Sequence, residues 1–178
     1  MKRAARTTPT IAVVGLGKAG GSLVASAKRA RVRVVGSGRR LSSMTGRWRG
    51  ADVLFLAVPD GAVAAVAAQL ARDQGALPPV IAHLSGARGT AVLERLSAKR
   101  PEVVAAAFHP LASLDGERPI PRGTLVALDA DARTAVRGLQ ALARRFECTP
   151  VYVAEANRPL YHAAAVVAGN LPVALLHL

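Results

Sequence analysis

The chain has 178 residues, enough for one full domain with its own core and the start of a second. Half of it is apolar, mostly Ala and Val, aromatics are scarce, and 24 Lys and Arg against 11 Asp and Glu leave a formal charge of +13. Such a charge points first to nucleic acid, but the bases are nearly all Arg, are scattered along the chain and lack aromatic stacking platforms, so direct DNA or RNA binding is set aside.

Residues 1 to 9 read as a disordered basic arm. With IAVVGLG behind them and ASA at 25 to 27 they imitate a secretory signal, yet Lys18 and the glycines at 15, 17, 20 and 21 interrupt the apolar part. A strand, a glycine turn and a helix account better for the same letters. The single Cys148 excludes an internal disulfide, and no Cys/His cluster has metal-ligand spacing, so no metal is expected and a reducing, cytoplasmic setting is.

From Thr10 short β-rich runs alternate with helical stretches, the pattern of a parallel sheet covered by helices on both faces. Strands are expected at 10 to 14, 32 to 35, 52 to 58, 79 to 84, 103 to 108, 124 to 128 and 149 to 153. Helices are expected near 19 to 30, 61 to 72, 89 to 99 and 131 to 146. Several strands are continuous apolar runs, as befits a sheet covered on both sides. Between the second and third strands only LSSMTGRWRGA and a few flanking residues remain, so one crossover is abbreviated there, with Trp48 packing its remnant on the sheet. The fold class is α/β, a Rossmann-type doubly wound, mostly parallel sheet over residues 10 to 154.

VVGLGKAGGSL is the most specific local signal. Gly15, Gly17 and Gly20 fit G-x-G-x-x-G after a strand and at the opening of a helix. The first permits the tight turn, the second lets backbone approach a pyrophosphate, and the third lets helix and strand pack closely. The helix N-terminus then offers unpaired N–H groups to the phosphates. About 20 residues on, an NAD site shows an acid for the ribose, whereas this chain has GSGRR. Arg39 and Arg40 stand where a 2′-phosphate would sit, which favours NADP over NAD. The expected cofactor contacts are Gly15, Leu16, Gly17, Lys18, Ala19 and Gly20, with Ser37, Arg39 and Arg40 after the second strand and Val58 and Pro59 after the third.

Ligands bind beyond the carboxyl ends of parallel strands. Three polar clusters fall there: Pro59-Asp60, Ser85-Gly86 and His109-Pro110. Asp60 is read as the cap of the helix that begins at Gly61, and His83, inside its strand, as a packed and hydrogen-bonded core residue. Ser85 and His109, which would emerge where the fifth strand ends, are the candidates for chemistry. Hydride transfer needs a group that polarises the substrate and handles a proton, and histidine titrates near neutrality.

The last stretch, 160 to 178, has no Lys, Arg, Asp or Glu. Its length admits a membrane span, but His162, Asn170, Pro172 and His177 interrupt it, so a helix buried between protein surfaces is expected. A further helical domain or a second subunit would cover it, and we expect the chain to be part of a longer protein.

The order GLGKAG, ADVLFLAVPD, HLSGARG, FHPLAS, LYHAAAVVAGN resembles a bacterial family of Rossmann-like proteins with an attached helical domain of unknown function. That family looks like a branch of the group containing pyrroline-5-carboxylate reductase, ketopantoate reductase, 6-phosphogluconate dehydrogenase and β-hydroxyacid dehydrogenases. The resemblance implies an NADP-binding domain followed by an all-helical domain that forms a homodimer and closes the substrate site, of which residues 155 to 178 supply the first helix. Prephenate dehydrogenases are similar in carrying a Ser after one strand and a His-Pro after the next, matched here by Ser85 and His109. Hydroxyacid dehydrogenases of the group use a Lys and an Asn four residues apart on the interdomain helix. Asn170 is present, but Val166 holds the Lys position, and His162, roughly 80° around the helix from Asn170, is the possible replacement.

The function expected is an NADP-dependent oxidoreductase moving hydride to or from a small, anionic carbonyl, imine or hydroxy substrate. His109, Ser85, His162 and Asn170 are its candidate catalytic residues. The alternative is a Rossmann module that holds a nucleotide as sensor or scaffold and catalyses nothing.

Overall fold

The computed structural model describes residues 9–44 and 46–177, without the side chains of 170–174 and 177. Of the expected basic arm, residues 1–8 lie outside the described residues.

Seven strands form one sheet: β1 (Ile11–Val14), β2 (Val34–Gly38), β3 (Val53–Leu56), β4 (Val80–His83), β5 (Val104–Pro110), β6 (Leu125–Ala130) and β7 (Thr149–Tyr152). Their order is β2-β1-β3-β4-β5-β6-β7. The first five in that row are parallel, β6 runs antiparallel to β5, and β7 is parallel to β6. Strand order reverses at β1, so the carboxyl end of β1 is the switch point at which such sheets open a crevice.

Adjacent residues of each central strand serve opposite faces, as the period of two requires. Phe55 and Phe108 join Ile11, Val13 and Leu128 against the helices α1 (Lys18–Arg29) and α4 (Arg133–Arg145), through Leu23, Leu139 and Leu142. Leu54 and Leu56 face the other way, with Val14 and Ile81, onto α2 (Val63–Leu70) and α3 (Glu94–Lys99). The Phe55 and Phe108 rings meet edge to face, centroids 5.3 Å apart, an arrangement worth about 1 kcal/mol beyond its burial.

The abbreviated crossover is as the sequence implies. Between β2 and β3 the chain makes a single 3-10 turn, Leu41–Met44, and further turns. Trp48, 2% exposed, and Met44 seal the α2 side of the sheet in place of a helix. Trp48 Nε1 donates to the Ala76 carbonyl at 3.3 Å.

Two helix ends were not readable as glycine stops. After α1 the N–H of Val32 bonds back to the Ala27 carbonyl, and that of Arg31, at φ +55°, to Lys28. After α4 the N–H of Cys148 bonds to Ala143, and that of Glu147, at φ +62°, to Arg144. Both are Schellman stops with a side chain at the left-handed position usually held by Gly. Because Arg31 occupies that position, β2 begins at Val34 rather than near 32. Replacing Arg31→Gly should raise the urea unfolding free energy by about 0.5–1 kcal/mol, since glycine sits there without Cβ strain.

The last helix, α5 (Arg158–His177), is the one expected to be covered by a further domain or a second subunit. Within this chain it is not buried: Leu160 is 76% and Leu176 87% exposed. No helix of the described residues is long and apolar enough to cross a membrane.

Candidate functional site

The carboxyl ends of β1, β3, β4 and β5 meet at one edge of the sheet, and the candidate residues assemble there. At β1 the chain turns at Gly15, whose φ is +93° and whose place for a Cβ is taken by the Ala57 carbonyl. Gly20, on the first turn of α1, lies against the Gly15 carbonyl oxygen, so a side chain there would overlap backbone. Gly17 caps α1 with extended backbone, no side-chain cap and open space where a Cβ would stand. The first turn of α1 carries no acid, and its leading N–H groups have no intrahelical acceptor. This geometry fits a pyrophosphate: two glycines make the turn, the third leaves room for the ligand, and the helix end attracts its charge. Leu16 and Ala19 are half-buried beside the turn, while Lys18 is exposed.

Arg39 and Arg40 follow β2 directly and are both exposed, with Ser37 half-buried in the strand and no carboxylate beside them in sequence. Val58, half-buried, and Pro59, exposed, leave β3 on the other side of the turn.

Asp60 does not cap a helix as expected. It opens a 3-10 turn, Asp60–Ala62, that leads into α2, and no side-chain cap is made there. Its carboxylate instead accepts the Ser85 hydroxyl proton at 2.7 Å. Ser85 in turn accepts the N–H of Arg88 at 3.2 Å. The Ser85 proton is thus committed to tying the ends of β3 and β4 together, and its hydroxyl is not turned to His109. His83 is a buried core residue: its Nδ1 accepts the Ser85 N–H at 3.2 Å, which places the ring proton on Nε2, donated to the Gly89 carbonyl at 2.9 Å.

His109 sits differently from the sequence reading. β5 does not stop before it but continues through Pro110, because β6 returns antiparallel and pairs Ala127 with His109. The imidazole shares the sheet face of Ala107 and Ala105, and α5 delivers its partners. His109 Nδ1 lies 3.0 Å from the Tyr161 hydroxyl, and the His109 and His162 rings cross at 70° with centroids 6.4 Å apart. Both rings close over Gly86, where a Cβ would stand 2.8 Å from His109 Nε2 and 2.9 Å from His162 Nδ1. The Nδ1 of His162 is buried and without a hydrogen-bond partner among the described residues. A cavity of about 430 Å³ opens beside the pair, lined by Leu111, Ser113, Ala165, Val166 and Gly169. Asn170 follows on α5, but its side chain lies outside the described residues.

Burial, then the charge of Arg158 and the neighbouring His162, hold His109 down to about 4, so the ring is neutral at neutral pH. Burial raises the Tyr161 phenol, which therefore keeps its proton. A phenol that donates to Nδ1 leaves the ring proton of His109 on Nε2, the nitrogen over Gly86, and one that accepts from Nδ1–H leaves Nε2 as an acceptor there. Tyr161→Phe should accordingly shift the tautomer balance of His109, read from its imidazole ¹⁵N shifts; an unchanged spectrum would remove Tyr161 from this role.

The loop that leaves β5 returns to the glycine turn. Gly116, at φ +90°, lies against Gly17 and Lys18, its carbonyl fills the space a Cβ on Gly21 would need, and its N–H donates to Ser22 Oγ at 3.2 Å. Tyr161, Gly21 and Gly116 are positions at this edge that the sequence does not single out as part of a site.

Residues 13–110 match the family model described as a Rossmann-like domain. The chain belongs to that family. Residues 124–178 of this Rossmann-like chain match a second model, a domain of unknown function (DUF2520). No curated protein sequence matches significantly. Among solved structures the chain is similar to a provisionally assigned NADP oxidoreductase from Bacteroides fragilis, at 17% identity, a TM-score of 0.74, and 95% of this chain against 70% of that one. It is also similar to a pyrroline-5-carboxylate reductase from Coxiella burnetii (16%, TM-score 0.67, 95% and 67%). A third is the prephenate dehydrogenase from A. aeolicus in complex with hydroxyphenyl propionate and NAD+ (14%, TM-score 0.65, 88% and 63%). At these identities the likeness is one of fold, and the chain spans about two thirds of the length of these neighbours.

Proposed function

We propose that the protein is an NADP-dependent oxidoreductase that moves hydride between the nicotinamide and a small carbonyl, imine or hydroxy-acid substrate. One observation carries this reading: an open glycine turn that fits a pyrophosphate and two imidazole nitrogens over Gly86 stand at the same edge of the sheet. A bound nicotinamide supplies or takes up the hydride. Everything else falls to the chain. The turn from Gly15 to Gly20 orients the pyrophosphate, and Arg39 and Arg40 grip the 2′-phosphate with paired N–H donors. Neutral His109 presents Nε2–H to the substrate oxygen or nitrogen and polarises it for reduction, and in its other tautomer accepts the proton of a hydroxyl. His162 offers a second imidazole nitrogen at the same point, while Ser85, through Asp60, holds the loop that carries Gly86.

Parallel titration with NADPH and NADH tests the cofactor half. NADPH is expected to bind more tightly, and Arg39→Ala/Arg40→Ala to weaken it by about 10- to 100-fold, to the NADH level, as the loss of charged hydrogen bonds predicts. Equal affinities in both proteins would remove the NADP assignment.

A module that binds nucleotide without catalysis is the second reading. It is favoured by Val166 in the cavity wall, where related dehydrogenases carry Lys, and by the commitment of the Ser85 hydroxyl to Asp60. His109→Ala separates the two. Turnover lost with NADPH affinity intact supports the enzyme, and turnover unaffected by the change removes His109 from the chemistry.

A further inference from the structure

Arg158 is the least expected residue in the molecule. It is the first residue of α5, is 1% exposed, and heads the fully buried side chains in size. All three of its guanidinium nitrogens are buried without a hydrogen-bond partner among the described residues. A charged group left in that condition costs several kcal/mol unless something anionic meets it.

Two carboxylates lie within electrostatic reach, and neither bonds the guanidinium. Glu155 Oε2 accepts the N–H of Ala91 at 3.0 Å and the Thr90 hydroxyl at 3.2 Å. Asp129, itself buried, makes no hydrogen bond or ion pair to the Arg158 guanidinium. The position on α5 adds to the imbalance. An arginine at a helix start stands on the positive end of the helix dipole, and the first turn of α5 contains no acid.

Arg158 lines a cavity of about 530 Å³ between the loop after β4 and the start of α5, together with Arg88, Gly89, Val92, Pro159 and Glu155, whose carboxylate is held by Thr90 and the Ala91 N–H. Arg158 stands one turn before Tyr161 and His162 on α5, and the Tyr161 hydroxyl lies 3.0 Å from His109 Nδ1. Gly86, under the His109 and His162 rings, belongs to the loop whose Arg88 and Gly89 line the Arg158 cavity, so Arg158 and His109 flank one loop and one helix turn, and the Arg158 charge helps to depress the ring.

We propose that Arg158, with Arg88 at the mouth, is an anion subsite that takes the carboxylate of the substrate, fixing that substrate as a short acid whose hydroxyl, oxo or imino carbon is presented to His109. A carboxylate matches the planar fork of a guanidinium with two parallel bonds, which a buried, rigid arginine makes at little entropic cost. The substrate half of this inference rests on the oxidoreductase reading above, whereas the anion subsite does not.

Oxalate serves as the probe, titrated by calorimetry into wild type, Arg158→Gln and Arg158→Lys at constant ionic strength. The expected result is binding to wild type, at least a tenfold loss in Arg158→Gln, partial recovery in Arg158→Lys, and NADPH affinity changed less than threefold. In wild type alone, saturating oxalate should move the NMR titration of His109 upward, because it neutralises the charge that depresses it, while chloride at the same ionic strength should not. That measurement decides the matter even if Arg158→Gln does not fold. Oxalate binding unaltered by the substitution, or a His109 titration that oxalate does not move, overturns the subsite. Failure of NADPH to bind alongside a normal oxalate response overturns the oxidoreductase reading instead and leaves the subsite standing.

Discussion

Gly20→Ala is expected to destabilise the fold by about 3 kcal/mol and to abolish dinucleotide binding, whereas Gly17→Ala should cost the fold less than about 1 kcal/mol and still weaken NADPH at least tenfold. The two glycines lie three residues apart in one motif and do unlike work. At Gly20 an added methyl meets the Gly15 carbonyl and stands 2.9 Å from the Ala57 Cβ, so α1 must lift off the turn. Neither obstacle is a flexible side-chain tip that could swing aside, and overpacking against backbone is among the larger single-residue penalties. At Gly17 nothing lies within 4 Å of the added methyl, and the extended backbone there suits any residue. The methyl instead occupies the space proposed for the pyrophosphate. Urea unfolding and NADPH calorimetry on both variants read the two effects separately. If Gly17→Ala binds NADPH as wild type does, the ligand does not lie across Gly17.

The second large effect is acid sensitivity. His109 titrates near 4 in the folded chain and near its ordinary 6.5 when unfolded. Between those values the unfolded state holds more protons, so acid favours unfolding. The stabilisation due to the neutral, buried ring is complete above pH 6.5 and is lost as the pH falls through 4. Taken from pH 7.5 to 4.5, the loss attributable to His109 is about 2.5 kcal/mol, and buried His83, shifted in the same direction, adds to it. His109→Gln keeps a polar side chain of similar length that does not titrate. Urea midpoints at the two pH values should differ clearly less in the variant than in wild type, and parallel slopes would mean that His109 is not buried as described.

Legibility in the sequence divides along physical lines. Strands and helices that repeat one period against one core were readable, down to the shortened crossover with its buried Trp48. Arg31 and Glu147 were not, because the backbone hydrogen bonds of a helix stop leave no trace when the left-handed residue is not glycine. The glycine turn and the His109 strand end were visible as local motifs. What Asp60 does was not: its choice between its own helix and Ser85, 25 positions on, depends on how closely the ends of β3 and β4 approach. The extension of β5 through His109 likewise depends on β6 returning antiparallel, which is a property of the whole sheet. Arg158 escaped notice for a compositional reason, since one arginine among many carries no signal until its burial is known.

The seam between Gly21 and Gly116 gives the rim of the His109 cavity an unusual mechanical character. Loops of this kind ordinarily breathe on their own, but residues 111 to 113, which line the cavity, lead straight into a backbone-to-backbone contact with α1. The rim and the first turn of α1 then open as one cooperative unit, so the Gly116 amide, held by Ser22 Oγ, should exchange with deuterium at the pace of the helix rather than of a surface loop.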